Sequence, residues 1–557
     1  MKMNIRQQIA EWLGMTLGVN EITEDMVGIP PDRSLGDYAF PCFRLSRVLK
    51  KSPQAIAQSL ALAEKLPLIF TKVEAVSGYL NFFVDQAQLA EIVLSETLQP
   101  SPSVRNGQTI VIEYSSPNIA KPFHIGHLCS TVIGDSLAKV YDCLGWNVRR
   151  INHLGDYGTQ FGKLISAYSR WGEEEALQKE PIAELFRIYV KFHEQVQRQP
   201  ELEEEARRYF KNLEDGNPEE TALWQRFKEM SLKKFSEIYN RLHVQFDSWA
   251  GESFYSDKME AVVKELRAKG LLTISEGAEI VDLSDNNLPP CLIMKSDGAS
   301  LYATRDLAAA IYRAKTYKFN ACLYVVGLPQ TLHFEQVFAV LKKMGYRWSD
   351  QCGHVGFAHV KFKDGQMSTR TGHVIFLEDV LDEAVKRAKA RIMESCLQPE
   401  SIDETAEKVG IGAVKFAFLK AGREREILFD WDEVLDFNGD SGPYVQYTYA
   451  RAASILRKAD KSLPDIPSIH EVNEEEAALI NHLNGFGNML LETAKRNDPC
   501  IVTRYVLLLA RLYNRFYSAY PVLGSDKEPF RLALTRAVSI RIQTCLSLLG
   551  IDCVEKM

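Results

Sequence analysis

No apolar run in the 557 residues approaches the ~20 needed to cross a bilayer, so no membrane-spanning helix is expected. The ten cysteines, spread from Cys42 to Cys553, include no C-x-x-C pair. That argues against a disulfide frame or a zinc ribbon and for reduced, mostly buried thiols. Neither G-x-G-x-x-G nor G-x-x-x-x-G-K-[ST] occurs, which removes the main support for dinucleotide and P-loop readings. Internal repeats and low-complexity tracts are absent too. The first 20 residues carry Lys2, Arg6 and Glu11 on an amphipathic pattern without the apolar core and cleavage site of a secretory leader. Glu21, Glu24 and Asp25 follow, more acid than a mitochondrial presequence carries, so the mature start is taken as residue 1 and the compartment as cytoplasmic. A bulk excess of base is also missing: 66 Lys and Arg stand against 73 Asp and Glu, a net charge of −7. Any polyanion must therefore be held by local patches.

What is present is ordinary soluble composition, 46% apolar and 25% charged. The chain is too long for one core, and about 100 to 200 residues per domain suggests three or four. Residues 1 to about 104 alternate helical periodicity with short strands such as Gly78–Val84, and Pro100-Ser-Pro-Ser103 reads as a linker. Thr109–Tyr114 is a strand, followed by a Ser/Pro/Asn loop and a helix with Leu128, Val132, Val140 and Leu144 on one face, stopped at Gly145. Such a strand, loop and helix opens a parallel α/β sheet, and Asn147–Asn152 is its next strand. From about 163 to 280 the pattern turns to charged helices with almost no strand signal, an insertion that splits the sheet domain of 105–375. Sheet character returns at Cys291–Lys295 and Ala321–Val326, with a crossover helix between. From 376 onward helices dominate, over 405–422, 443–459, 474–496, 501–520 and 530–549, and predict a bundle. The expected fold class is thus a multidomain α/β plus all-α chain: an N-terminal α+β domain, a Rossmann-type parallel-sheet domain with a helical insertion, and a C-terminal helical bundle.

The stretch Ser116-Pro-Asn-Ile-Ala-Lys-Pro-Phe-His124-Ile-Gly126-His127 lies between the first strand and its helix. A helix N-terminus exposes free N–H groups and partial positive charge, which suits a triphosphate. Gly126 lets a flat ring approach the backbone. His124 and His127 can donate to phosphate oxygens whose charge grows as pyrophosphate leaves. By itself H-x-x-H also admits a metal pair or two surface histidines, and each nearby carboxylate admits a surface salt bridge. Gly439-Asp-Ser-Gly442 looks like a serine-protease nucleophile segment, but the helical surroundings and Pro443 disfavour it. Between Lys495 and Arg541 nine basic residues face three acids, a local net of +6, and Tyr513, Phe516, Tyr517 and Tyr520 lie within that patch. Aromatics there suit either base stacking or core packing.

In its context, the His-Ile-Gly-His string resembles the signature of class I aminoacyl-tRNA synthetases. The longer string from Glu113 to His124, together with Asn152-His-Leu-Gly-Asp-Tyr-Gly-Thr-Gln-Phe-Gly162, is similar to the arginine-specific branch. So are Leu301-Tyr-Ala-Thr-Arg-Asp306-Leu-Ala, Gln330, Gly439-Asp-Ser-Gly-Pro-Tyr-Val-Gln-Tyr447 and Leu532-Ala-Leu-Thr-Arg-Ala537. The resemblance covers essentially the whole chain.

It implies that Glu113, Tyr302 and Asp306 surround a substrate guanidinium with Gln330 alongside, while Ser116 and Asn118 hold the amino and carboxylate end. Fixed carboxylates read a planar five-donor cation well, and a site built that way rejects analogues by about 10⁴ or more. The insertion is therefore expected to position RNA or brace the fold, and not to edit. Where class I enzymes carry Lys-Met-Ser-Lys-Ser, the matching loop reads Gln366-Met367-Ser368-Thr369-Arg370, with both lysines absent. Met367 and Ser368 are expected beside ATP with His124, Gly126 and His127, and the missing cations are expected from Lys121 first and Arg370 second. The resemblance further implies that Leu35-Gly-Asp-Tyr-Ala39 touches the tRNA elbow and that the C-terminal bundle reads the anticodon, with Arg504, Arg511, Arg515, Tyr513 and Tyr517 as the residues in contact. The implied partners are tRNA(Arg), L-arginine and ATP, with Mg²⁺ entering on ATP and no metal held by the protein alone. A monomer is expected. The assignment to arginine asks that the acids face the imidazole pair and that no bases of the chain's own fill them.

Overall fold

The computed structural model describes residues 5–63, 66–99, 105–119, 121–295, 302–363, 376–394, 399–459 and 468–557. Long-range contacts divide them into two compact units, one of residues 1–102, 452–487 and 511–541, the other of 103–451, 488–510 and 542–557.

In the first unit, strands β1 (Tyr38–Pro41), β2 (Phe70–Val76) and β3 (Tyr79–Val84) form an antiparallel sheet in the order β1-β3-β2. Ser77 and Gly78, both at positive φ, make the tight β2–β3 turn. The Leu35–Ala39 segment is committed to this fold. Asp37 accepts hydrogen bonds from Val84 N and Gln86 Nε2, and Gly36, at φ 129°, leaves no room for a Cβ beside Phe82 O. Helices, among them Ile5–Leu17, Pro53–Ala61 and Gln86–Leu98, accompany the sheet. The stretch expected as one helix over 474–496 is two: Glu474–Asn484, opened by a capping box of Asn473 and Glu476, belongs to this unit, and Phe486–Arg496 lies mostly in the second.

The second unit is built on a parallel sheet of β4 (Thr109–Glu113), β5 (Asn147–Ile151), β9 (Ala321–Tyr324) and β10 (Cys352–His354), in the order β10-β9-β4-β5. Val111 and Ile112 are fully buried, as a strand covered on both faces requires. The next strand after β4 in sequence lies on one side of it and β9 on the other, so the loops leaving β4 and β9 diverge. A crevice at such a switch point is where open α/β sheets bind ligands.

The insertion is helical over Pro181–Val196, Glu201–Glu214 and Pro218–Arg241. One expectation is corrected. β6 (Leu272–Ser275), β7 (Ala278–Val281) and β8 (Cys291–Met294) form a separate antiparallel sheet, so 291–294 does not rejoin the parallel one and the insertion's end is not free of strand. The two-residue turn Glu276-Gly277, both at positive φ, makes the hairpin, while exposure of Thr273, Ile274 and Ser275 blurs its alternation. The last pair, β11 (Val360–Phe362) with β12 (Ile427–Phe429), is parallel. Nine cysteines among the described residues are free thiols, six of them buried.

Candidate active site

The loop leaving β4 turns through two consecutive non-glycine residues in the left-handed region, Ser115 (φ 72°) and Ser116 (φ 48°). Such backbone persists only where its surroundings hold it. Here they do. Ser115 N donates to Ser130 Oγ, Ser115 Oγ lies 2.6 Å from Tyr239 Oη, Thr131 Oγ1 donates to Ser115 Oγ, and Ser116 N donates to Asn152 Oδ1. Asn152 Nδ2 in turn donates to Tyr239 Oη. Further along, Asn118 pairs with Gly155, where any Cβ would fall 2.1 Å from Asn118 Oδ1. The Asn152–Gly162 string thus shapes the Ser116–Asn118 segment through its backbone and through Asn152. Asp156, fully buried, is fixed by Lys228 and by Ser253, and Trp224 Nε1 donates to its carbonyl, so the insertion braces this loop.

The helix Ile125–Cys143 starts with its two imidazoles capping one another. His124 Nδ1 accepts from Gly126 N at 3.1 Å, and His127 Nδ1 accepts from His124 N at 3.2 Å. The rings stack with centroids 3.8 Å apart. A Cβ at Gly126 would sit 2.9 Å from His124 Cε1, so the flat ring that this glycine admits in the structure is that of His124. Burial holds both imidazoles below their ordinary pKa of 6.5, and the charge of Lys121 adds to the effect on each. A neutral imidazole that accepts at Nδ1 must carry its proton on Nε2. Both rings are therefore Nε2–H donors without being cations. Lys121 is half-buried, its Nζ lying over the Tyr189 ring.

Glu113 ends β4, in register with Tyr324 of β9, at the switch point. It is not an open carboxylate: Arg313 Nη1 lies 2.5 Å from Oε2, with both side chains buried. This corrects the expectation of an acid without a basic neighbour. Arg313 comes from the helix Tyr302–Tyr317 that precedes β9, whose first turns also carry Tyr302, mostly exposed, and Asp306. Asp306 bonds His333 Nε2 at 2.6 Å, and although burial opposes it, that contact holds its carboxyl below the usual range. His153 lies 3.3 Å from Arg313 and feels the charges of Glu113 and Asp306, so these groups share one neighbourhood. A carboxylate has about four acceptor sites, and one internal cation does not exhaust them. The requirement that no bases of the chain's own approach the acids was therefore too strict. Gln330 is exposed in the short turn after β9. Ser116, Asn118, Lys121 and His124 lie in the loop from β4 and His127 in the first turn of the helix after it, while Tyr302, Asp306 and Gln330 lie on the elements flanking β9. Met367, Ser368 and Arg370 lie outside the described residues.

Sequence reasoning missed Arg313, His333, His153, Tyr239 and Asn152 as individual site-building residues. Another is Glu252, whose carboxyl burial pushes up to about 7 although Arg305 lies 3.0 Å away.

Among the residues expected at the anticodon, Tyr513 is corrected: it is fully buried in the helix Cys500–Ala519 and belongs to the core, out of reach of any base. Tyr517 is 40% exposed, and Arg504, Arg511 and Arg515 are exposed. The basic patch is weaker than its count, because Arg515, Lys527 and Arg531 pair with Glu475, Glu471 and Glu476.

Known proteins are similar to this chain in sequence and in fold. The model of the class I tRNA synthetase (R) catalytic domain matches residues 88–431, the DALR anticodon-binding domain 445–557, and the arginyl-tRNA synthetase N-terminal domain 2–84. An arginine–tRNA ligase of Clostridium botulinum is 52% identical over 96% of this chain and 97% of its own length, and one of Clostridium acetobutylicum is 51% identical over 100% of both. Among solved structures, Thermus thermophilus arginyl-tRNA synthetase superposes with a TM-score of 0.85 at 27% identity, covering 99% of each chain. The Plasmodium falciparum arginyl-tRNA synthetase gives 0.83 at 25%, covering 100% of each. The chain belongs to the arginyl-tRNA synthetase family of class I aminoacyl-tRNA synthetases.

Proposed function

We propose that this enzyme, which charges tRNA(Arg) with arginine at the expense of ATP, carries out activation with two neutral imidazoles and one desolvated ammonium. His124 and His127 donate hydrogen bonds from Nε2 to the triphosphate, and Lys121 first and Arg370 second supply the charge of the two lysines missing from the loop at 366–370. Asp306 and Glu113 receive the guanidinium, with Tyr302 and Gln330 beside them, while Ser116 and Asn118 hold the amino and carboxylate end. Arginine's carboxylate oxygen attacks the α-phosphorus of ATP, pyrophosphate leaves, and the ribose hydroxyl of the tRNA terminus then displaces AMP from the adenylate. The protein forms no covalent bond; it contributes alignment and stabilisation of charge. Mg²⁺ enters as part of the ATP substrate. Tyr517, Arg504, Arg511 and Arg515 face the tRNA, the enzyme works as a monomer in the cytoplasm, and its insertion does not edit.

The observation that supports this reading is the pair of caps in which each ring's Nδ1 accepts a backbone N–H, leaving Nε2 as the donor of each neutral imidazole. The test is pyrophosphate exchange with each amino acid, with and without tRNA(Arg). Exchange is expected with arginine alone among them, and only with tRNA present. Exchange driven by glutamate or glutamine, or by no amino acid at all, overturns the reading.

A further inference from the structure

We infer that Tyr189, on the insertion helix Pro181–Val196, is a positioning residue that stations the Lys121 ammonium beside the His124–His127 pair. The inference rests on the reading of Lys121 given above and extends the nucleotide site beyond the parallel sheet to the insertion.

Three observations support it. Lys121 Nζ stands 5.5 Å from the centroid of the Tyr189 ring, inside the ~6 Å over which an aromatic face attracts a cation. Burial lowers the pKa of Lys121, so the ammonium is partly desolvated, and no carboxylate among the described residues pairs with it. A cation in that condition needs either a ring or a ligand, and a triphosphate is a fitting one. The third observation is spacing. Phe186, Tyr189 and His193, at i, i+3 and i+7, share one helix face. Phe186 meets Phe376 edge-on at 6.4 Å, and His193 meets Tyr189 edge-on at 4.6 Å. Phe376 itself pairs with His124, and Leu377 N donates to Phe123 O. One face of the insertion thus touches Lys121 and the segment whose backbone pairs with that of Phe123 and His124. The sheet sets the histidines; the insertion sets the lysine.

The test is a double-mutant cycle in the full chain, read by arginine-dependent pyrophosphate exchange with tRNA(Arg) present. Lys121→Ala is expected to lose about 10²-fold in rate with arginine affinity barely changed, as a transition-state charge contact does. Tyr189→Leu is expected to lose about 3- to 10-fold, the worth of one cation–ring contact, with arginine affinity likewise unmoved. The conservative Tyr189→Phe, which keeps the aromatic face, should restore most of that loss. In the double variant, Tyr189→Leu should add nothing to Lys121→Ala. Tyr189→Gln gives a second removal of the ring should the leucine variant melt early. A full rate in Tyr189→Leu and Tyr189→Gln, or a loss that persists undiminished in the Lys121→Ala background, overturns the inference and leaves the role of Lys121 standing. An unchanged rate in Lys121→Ala overturns that role itself.

Discussion

At the scale of single residues, the site depends on groups kept in an uncharged or internally neutralised state. His127 has the ordinary histidine value of 6.5 as its reference, and burial holds it well below that in the folded chain. Below about 6.5 the unfolded chain binds this proton first, so stability falls as pH drops through that range and is fully present above it. A melting series from pH 7.5 to 5 should show the wild type losing stability faster than His127→Asn, whose amide still caps His124 N; equal slopes would place the pH dependence elsewhere. The Arg313–Glu113 pair is a second case. Removing one partner strands a buried charge, so Arg313→Ala should cost about 3–5 kcal/mol in urea unfolding, whereas replacing both by apolar residues of similar volume should cost far less. His124, His127 and Glu113 were legible because they sit in long strings next to a strand end. Arg313 and His333 were not: each is one polar residue on an ordinary helix, and only the fold brings them to acids 200 and 27 residues away.

At the scale of elements, close approach between helix and strand decides whether the loop from β4 holds its shape. Gly134, mid-helix in Ile125–Cys143, faces Tyr114, whose ring and Cβ a methyl group would reach at 2.2 Å. Gly134→Ala gains helix propensity by about 1 kcal/mol but overpacks the core, so a net loss of about 1–3 kcal/mol is expected by thermal melting, with exchange activity falling as the helix N-terminus shifts. A more stable variant would mean that Tyr114 moves aside freely. Elements with strong periodicity or caps were readable in advance, including β4, β5 and the long C-terminal helices. Those that failed did so for local reasons: β6 is mostly exposed and so lacks alternation, and the division of 474–496 at Gly485 interrupts a pattern whose apolar spacing runs on through it.

At the scale of the whole molecule, contacts draw 1–102 together with 452–487 and 511–541, and 103–451 with 488–510 and 542–557. Such grouping joins segments far apart in sequence, and composition along the chain carries no signal for it. Lys415 illustrates the long-range ties within the second unit: its buried ammonium, lowered by burial to about 8, donates to Leu242 O and Gly550 O. The sheet's switch point, the reciprocal imidazole cap and the acids around Arg313 all belong to that unit. Their joint purpose is best tested by a crystal structure of the enzyme with arginine and a non-hydrolysable ATP analogue. The expected result is a guanidinium bonded to Asp306 and phosphate oxygens within hydrogen-bond distance of His124 Nε2, His127 Nε2 and Lys121 Nζ. Phosphates seated away from the imidazole pair, or a guanidinium that leaves Asp306 to His333 alone, would contradict it.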